Sequence, residues 1–381
     1  MQNRQVSITH TLSYQQEEVT SSIKRHFDLL KLSEVIRPDM RVLLKPNLLL
    51  KRKPEEITTT HPAVMAGIII CLKELGVSDI TIADSPGGPY TKQALGGIYE
   101  ATGMKALAKQ YDVALNQDFS YYEQKVENGE KVQSFMLINP IKQADFIIDV
   151  AKLKTHSMTT LSGGVKNLFG TVPGLMKPEF HFRFPDKNDF SNMLLDLCET
   201  IKPNVTFVDA IISMEGDGPS GGTPKHTGLI LASKSPYNLD VALCNIIDID
   251  VNDVPTVNQS IKRNLCVSDI NEIEFLGDEF IRISDYKKPN VTGVDFMQKV
   301  PKWLRKPLNP IAQAMLVSKP VIRTKHCIGC GKCAESCPAT TITISNQKAI
   351  IHYNKCIKCF CCHEMCPVKA IDIKRFKLFN W

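Results

Sequence analysis

The sequence predicts an α/β domain with a mostly parallel sheet, joined to a small α+β domain rich in cysteine. Three observations carry this prediction. Short apolar runs alternate with helical stretches along residues 1–286, as strands and helices do in an α/β fold. Nine of the 13 cysteines fall between Cys327 and Cys366. Charge divides near the same place: residues 287–381 hold 17 Lys+Arg against 4 Asp+Glu, or +13, whereas residues 1–286 hold 29 against 36, or −7. The expected organisation is an α/β domain over 1–286, a basic proline-rich linker over 287–320, and a cysteine-rich domain over 321–381.

The elements follow in order. Arg41–Leu44 reads as a strand, Pro62–Leu75 as a helix that Gly76 stops, and Asp79–Ala83 as a second strand. Gln93–Gln110 contains a helix, Phe146–Val150 and Val205–Asp209 are buried strands, and Asn238–Ile247 is a closing helix. From Lys287 to Lys325, five prolines and nine basic residues precede the cysteines, with Asp295 the one acid and a short amphipathic piece over Phe296–Met315. Within the cysteine-rich part, Thr341–Ile344 and Ala349–Tyr353 form a hairpin around Ser345–Lys348, and Ala370–Lys374 is another strand.

Composition excludes several classes. With 381 residues, 43% hydrophobic and 23% charged, the chain is neither disordered, collagenous nor a coiled coil. Its first residues are polar and lack the apolar core of a signal peptide. The longest apolar stretch, Ala63–Leu72, is far shorter than the ~20 residues of a membrane span. A cytoplasmic protein is expected. Cys71, Cys198, Cys244 and Cys266 lie in apolar surroundings as small core residues, so the cysteines do not form a disulfide scaffold. The basic C-terminal part either receives an acidic partner or balances an anionic metal centre. No nucleic-acid motif accompanies it, so the expected partner is a redox protein such as an acidic ferredoxin or flavodoxin.

The cysteine spacing is the strongest signal. Cys327-x2-Cys330-x2-Cys333-x3-Cys337-Pro338 is repeated 29 residues later as Cys356-x2-Cys359-x2-Cys362-x3-Cys366-Pro367. Three thiolates in a tight loop can wrap one cubane while the fourth, displaced onto the next turn, reaches another cluster. Two C-x2-C pairs also suit zinc, but a zinc ribbon uses four ligands and leaves the other four unexplained. The paired runs resemble the bacterial two-cluster ferredoxin module. That resemblance implies two [4Fe–4S] clusters, one on Cys327, Cys330, Cys333 and Cys366, the other on Cys356, Cys359, Cys362 and Cys337. Cys361 is then an extra thiol beside a ligand.

Each buried strand of the first domain runs into polar chemistry: Lys45-Pro-Asn47, Asp84-Ser-Pro-Gly-Gly88, Lys152-Leu-Lys154-Thr-His156, and Asp209 followed by Glu215-Gly-Asp217-Gly. Ligands of open α/β sheets bind at the carboxyl ends of strands, so these motifs point to one cleft. Ser162-Gly-Gly-Val-Lys166-Asn167 is either an anion-binding loop, presenting backbone N–H groups and Lys166, or a plain turn. Gly216-Asp-Gly218-Pro-Ser-Gly221 spells G-x-G-x-x-G, but Pro219 and Pro224 spoil it as a dinucleotide fingerprint. His156 suits proton transfer, while Glu215 and Asp217 could hold Mg²⁺ or move protons. His61 and His226 are weaker candidates.

Taken in order, these five segments resemble the domain-of-unknown-function 362 family over roughly residues 5–285. Members of that family often carry a C-terminal ferredoxin module, as this chain does. The resemblance implies the architecture and the site, and no substrate.

Two functions follow. In the first, single electrons pass to an anionic substrate or cofactor in the cleft, as in a ferredoxin-linked oxidoreductase. Lys45, Asn47, Lys154, Lys166, Asn167 and Glu215 bind the ligand; His156, Lys152, Asp84 and Asp217 serve catalysis. Flavin or Mg²⁺ is compatible with the sequence but not indicated by it. In the second, the chain is a non-enzymatic electron carrier or assembly factor whose α/β domain binds a partner protein.

Overall fold

The computed structural model describes residues 4–289 and 318–374; the amphipathic piece and most of the expected linker lie outside them. Fifteen strands are present among the described residues. They are β1 (Gln5–His10), β2 (Val42–Pro46), β3 (Ile80–Ile82), β4 (Ala114–Leu115), β5 (Tyr121–Lys125), β6 (Ser134–Ile138), β7 (Phe146–His156), β8 (Thr160–Ser162), β9 (Val205–Glu215), β10 (Thr223–Ser233) and β11 (Glu274–Gly277), followed by β12 (Lys319–Ile322), β13 (Ile342–Ser345), β14 (Lys348–Ile351) and β15 (Ile371–Lys374).

The first domain is built on one mixed sheet of order β11-β1-β10-β9-β7-β2-β3-β4, with β8 paired to β7. The run β9-β7-β2-β3-β4 is parallel throughout; β10 is antiparallel to both its neighbours. Every residue of β2 and β7 is buried, as expected where helices cover both faces of a parallel sheet. Two apolar cores result. Helices Gln16–Leu29 and Pro62–Glu74 bury Ile23, Ile68 and Leu72 on one face, while Lys187–Ile201 and Pro236–Ile246 bury Leu194, Val241 and Leu243 on the other.

Local chemistry sets the helix starts. Asp186 accepts hydrogen bonds from the N–H groups of Asn188 and Asp189, and Ser235 from that of Asn238, each satisfying free donors of a first turn. Pro236 follows at the first helical position, where its missing N–H costs nothing. The helix expected over 93–110 is two, Lys92–Ala101 and Met104–Tyr111, because Gly103 adopts φ +79° between them. The strand expected over 146–150 continues to His156, and that over 205–209 continues to Glu215. Lys152, Lys154 and His156 are therefore strand residues, paired with β9 at Lys152 and Lys154 and with β8 at Lys154 and His156.

The second domain is small. β12 pairs with β15, and β13 with β14 through a tight turn at Asn346 and Gln347, both at positive φ as such a hairpin turn requires. Short helices Lys332–Glu335 and Cys361–Glu364 sit at equivalent points of the two cysteine runs.

Candidate functional site

The site begins on β7. Lys152 is the register partner of Asp209 on β9, and its ammonium lies 2.9 Å from Asp209 Oδ2. Lys152 also donates to Tyr14 Oη at 2.7 Å, and Tyr14 donates to Asp209 Oδ1 at 2.8 Å, closing a buried network. Immediately beyond, β9 bulges: its register runs from Asp209 to Met214 while β7 advances only from Lys152 to Lys154. Lys154 and His156 thus reach another environment, a cleft between the two domains. Lys152 is absent from its wall.

Beside β7, four further parts of the first domain line much of the cleft. β2 and its exit supply Lys45 and Asn47, and the loop after β3 supplies Asp84 to Gly88. The turn Gly164–Asn167 supplies Lys166 and Asn167; Lys177 and His181 follow from the helix Lys177–Arg183. The cysteine-rich domain closes the cleft with Cys361, Glu364 and Met365. Packing here is tight enough to dictate glycine. A Cβ on Gly170 would stand 2.6 Å from Lys45 Nζ, and one on Gly87 would stand 2.6 Å from Met365 Sδ.

The cleft is rich in basic side chains: four lysine amino groups face two carboxylates. Lys45 Nζ lies 2.9 Å from Asp84 Oδ1 and donates to Pro46 O at 3.0 Å. Lys154 donates to Asn47 Oδ1 at 2.8 Å and Thr58 O at 2.7 Å. Asn47 in turn donates to Asn167, and Asn167 to Asp149, whose carboxyl burial pushes up to about 8 against the opposing charge of Lys45. Lys177 donates to Ser85 O and Val172 O, and burial lowers its ammonium to about 7. Lys166 differs. Among the described residues it has no hydrogen-bond acceptor, and its Nζ stands 5.6 Å from the centre of the Phe169 ring. Burial is the main cause that lowers its ammonium, as it does for Lys154.

His156 has a defined tautomer. Its Nδ1 accepts from the N–H groups of Met158 and Thr159 at 3.0 and 3.3 Å, so a neutral ring carries its proton on Nε2. Nε2 lies 2.9 Å from Glu364 Oε1. Burial, more than the nearby Lys166 charge, lowers the imidazole to about 4 and keeps it neutral.

Other expected site residues lie elsewhere. Glu215 accepts from Lys287 N at 3.0 Å and pairs with Lys287 Nζ at 3.2 Å, while Asp217 presents its carbonyl oxygen 3.2 Å from His363 Nε2. Neither lines the cleft. His61 stacks on Tyr14 with ring centres 3.7 Å apart, and His226 Nε2 lies 2.7 Å from Leu12 O. The glycine loop does not offer its backbone to a ligand: the N–H groups of Gly164 and Val165 donate to Asp240. Lys177, His181, Glu364 and Met365 escaped sequence reasoning. Only Glu364 left a trace, as the one acid inside the second cysteine run.

The thiols surround two smaller cavities. Cys327, Cys330, Cys333 and Cys366 line the first; Cys337, Cys356, Cys359, Cys361 and Cys362 line the second. Each draws thiols from both runs, a spread suited to a polynuclear cluster. Among the described residues no three His, Cys, Asp or Glu converge on a single-ion site. Cys361 belongs to two walls at once, that of the second cavity and that of the lysine-lined cleft.

The domains are fastened by hydrogen bonds around this junction. Arg52 donates to Cys366 O and Pro367 O at 3.0 and 2.9 Å, and Ser220 Oγ donates to Glu364 O at 3.2 Å.

Comparison with known proteins adds context. Residues 42–245 match the family described as a domain of unknown function (DUF362), and residues 319–367 match a 4Fe-4S dicluster domain. A thylakoid-associated protein of Synechocystis sp. is 30% identical over 256 residues, covering 67% of this chain and 78% of that protein. The lactate racemase apoprotein of Thermoanaerobacterium thermosaccharolyticum has a TM-score of 0.37 and 12% identity, covering 62% of this chain. The match spans 55% of the length of that structure. No helix among the described residues is long and apolar enough to cross a membrane.

Proposed function

We propose, from the premise that this chain belongs to the DUF362 family and carries an iron–sulfur electron-transfer module, that it delivers single electrons to an anionic substrate or cofactor held in the interdomain cleft. The observation behind this reading is the charge imbalance of the cleft, where Lys45, Lys154, Lys166 and Lys177 face only Asp84 and Glu364. A buried excess of cations is costly, and a bound anion relieves it.

Each residue has a role. Lys166, the ammonium with no acceptor of its own, contacts the anionic group directly. Lys45 and Lys154 are held by protein acceptors and raise the local potential. Phe169, Met365 and Pro219 keep water from the bound molecule. His156 presents its Nε2 proton at the junction wall, within reach of Glu364, and serves proton transfer.

Two [4Fe–4S] clusters are the cofactors proposed for the smaller cavities. Cys327, Cys330, Cys333 and Cys366 hold one; Cys337, Cys356, Cys359 and Cys362 hold the other, leaving Cys361 as a wall residue. When bound, such clusters exchange one electron at a time.

The test is thermal denaturation of the reconstituted protein with inorganic phosphate, pyrophosphate or citrate. At least one anion raises Tm in wild type by mass action, and Lys166→Ala removes most of that rise. Equal rises in both proteins would overturn the reading.

A further inference from the structure

The two thiol-lined cavities are not equivalent, and their difference identifies a docking face. The cavity of Cys337, Cys356, Cys359 and Cys362 faces inward, sharing buried Cys361 with the interdomain cleft. The cavity of Cys327, Cys330, Cys333 and Cys366 lies behind a wall that solvent reaches. Cys330 is exposed, and three apolar side chains on this wall stand in solvent: Ile328 at 60%, Ile344 at 40% and Val368 at 39%. An apolar cluster kept in water beside a thiol-lined cavity would be a liability unless something covers it.

We propose that this outer face receives an acidic electron-carrier protein, which exchanges electrons through the Cys327–Cys330–Cys333–Cys366 cavity. The inference rests on the proposed function only for the presence of clusters; it does not depend on what the cleft binds. Charge complementarity selects the occupant. Lys325 and Lys369 flank the outer wall in the chain, two residues before Cys327 and one after Val368, and no carboxylate pairs with either among the described residues. Lys348, which donates to Cys327 O at 2.6 Å, adds a third cation on the same side. Three of the carboxylates that could offset them are already committed. Glu335 pairs with Lys332, Asp372 with Arg323, and Glu364 turns inward to His156. An apolar centre with a basic margin fits a partner whose own cofactor lies in an apolar patch ringed by Asp and Glu. The electron that the carrier gives up in each encounter would be taken up by the iron–sulfur cluster that Cys327, Cys330, Cys333 and Cys366 would hold.

The probe is a purified acidic flavodoxin, reduced to its hydroquinone and mixed anaerobically with the reconstituted chain. One electron leaves the hydroquinone, giving semiquinone and a proton, and bleaching of cluster absorption reports its arrival. Lys325→Glu/Lys369→Glu is expected to slow this step at least tenfold at low salt, and the wild-type rate is expected to fall as salt rises. Lys325→Gln/Lys369→Gln should fall between the two. Lys105→Glu/Lys262→Glu, with the same change of net charge on the other domain, should stay within twofold of wild type. Iron content and reduction by dithionite are measured in every variant, so a protein that has lost its clusters is recognised. The proposal is overturned if flavodoxin does not reduce the wild type, if the Lys325/Lys369 variants keep its rate, or if the Lys105/Lys262 variant slows as much. An unchanged thermal response to anions in the Lys325/Lys369 variants separates failure here from failure of the cleft reading.

Discussion

Glu364 Oε1, on the helix that follows Cys359, lies 2.9 Å from His156 Nε2, at the end of β7 in the α/β sheet. The contact joins the cysteine-rich domain to the cleft wall, with 1% of the His156 side chain and 12% of that of Glu364 exposed. Because His156 Nδ1 is occupied by two backbone N–H groups, the ring can answer Glu364 only with Nε2–H. Glu364→Ala removes the carboxylate that lies 2.9 Å from that buried ring nitrogen. Unfolding free energy should fall by about 1–3 kcal/mol. In a double-mutant cycle with His156→Ala, chemical denaturation should show losses that are less than additive.

Lys152 and Lys166 separate stability from binding. Lys152→Met leaves Asp209 charged, buried and without its ammonium, so stability should drop by about 3–5 kcal/mol. Lys166→Ala removes a cation that has no protein acceptor. It should change stability by less than about 1 kcal/mol while weakening anion binding by roughly ten- to a hundredfold. Denaturation curves and calorimetric titration, run on both variants, distinguish the two roles.

Acid sensitivity has an identifiable source in the sheet. His26 is buried between Ser7 Oγ and Thr9 Oγ1, and burial, then the charge of Arg25, lowers it from 6.5 to about 3. Between those values the unfolded chain binds a proton that the folded chain does not, so this group's contribution is full above about pH 6.5 and lost as pH falls. Asp149 and Asp240, raised by burial to about 8 and about 7, act with opposite sign, so the comparison must be between variants. His26→Gln should show a shallower loss of stability from pH 6.5 to 4, by about 1.4 kcal/mol per pH unit at most.

The neighbouring thiols Cys361 and Cys362 should behave differently on substitution. Cys362→Ser should lose about half the iron, or all of it if the small domain fails to fold. Cys361→Ser should retain the full complement and instead alter anion binding, since Cys361 also lines the cleft. Iron and sulfide analysis after anaerobic reconstitution reads the first difference, and calorimetry the second.

How far the sequence reached can be seen residue by residue. The cysteine spacing was legible because ligand geometry is local: loop and turn are written within a dozen residues. Lys45, Asn47, Asp84, Lys154, His156, Lys166 and Asn167 were legible as strand-end and loop chemistry, and all seven line one cleft. Lys152 shows the limit. It shares alternation with Lys154 and His156, but the bulge in β9 between Asp209 and Met214 separates their environments, and no pattern in β7 records a bulge in its neighbour. Lys177 and Glu364 were hidden for a related reason. Their place at the cleft depends on how a loop and a second domain dock, which is tertiary information.

The central claim joins an iron–sulfur module to a small anion in the cleft beside it, and native mass spectrometry of the anaerobically purified chain addresses both at once. The expected mass includes about eight irons and eight sulfides, together with a retained small anion that is absent from Lys166→Ala. Two zinc ions in place of the iron, or a retained molecule unaffected by loss of Lys166, would contradict it.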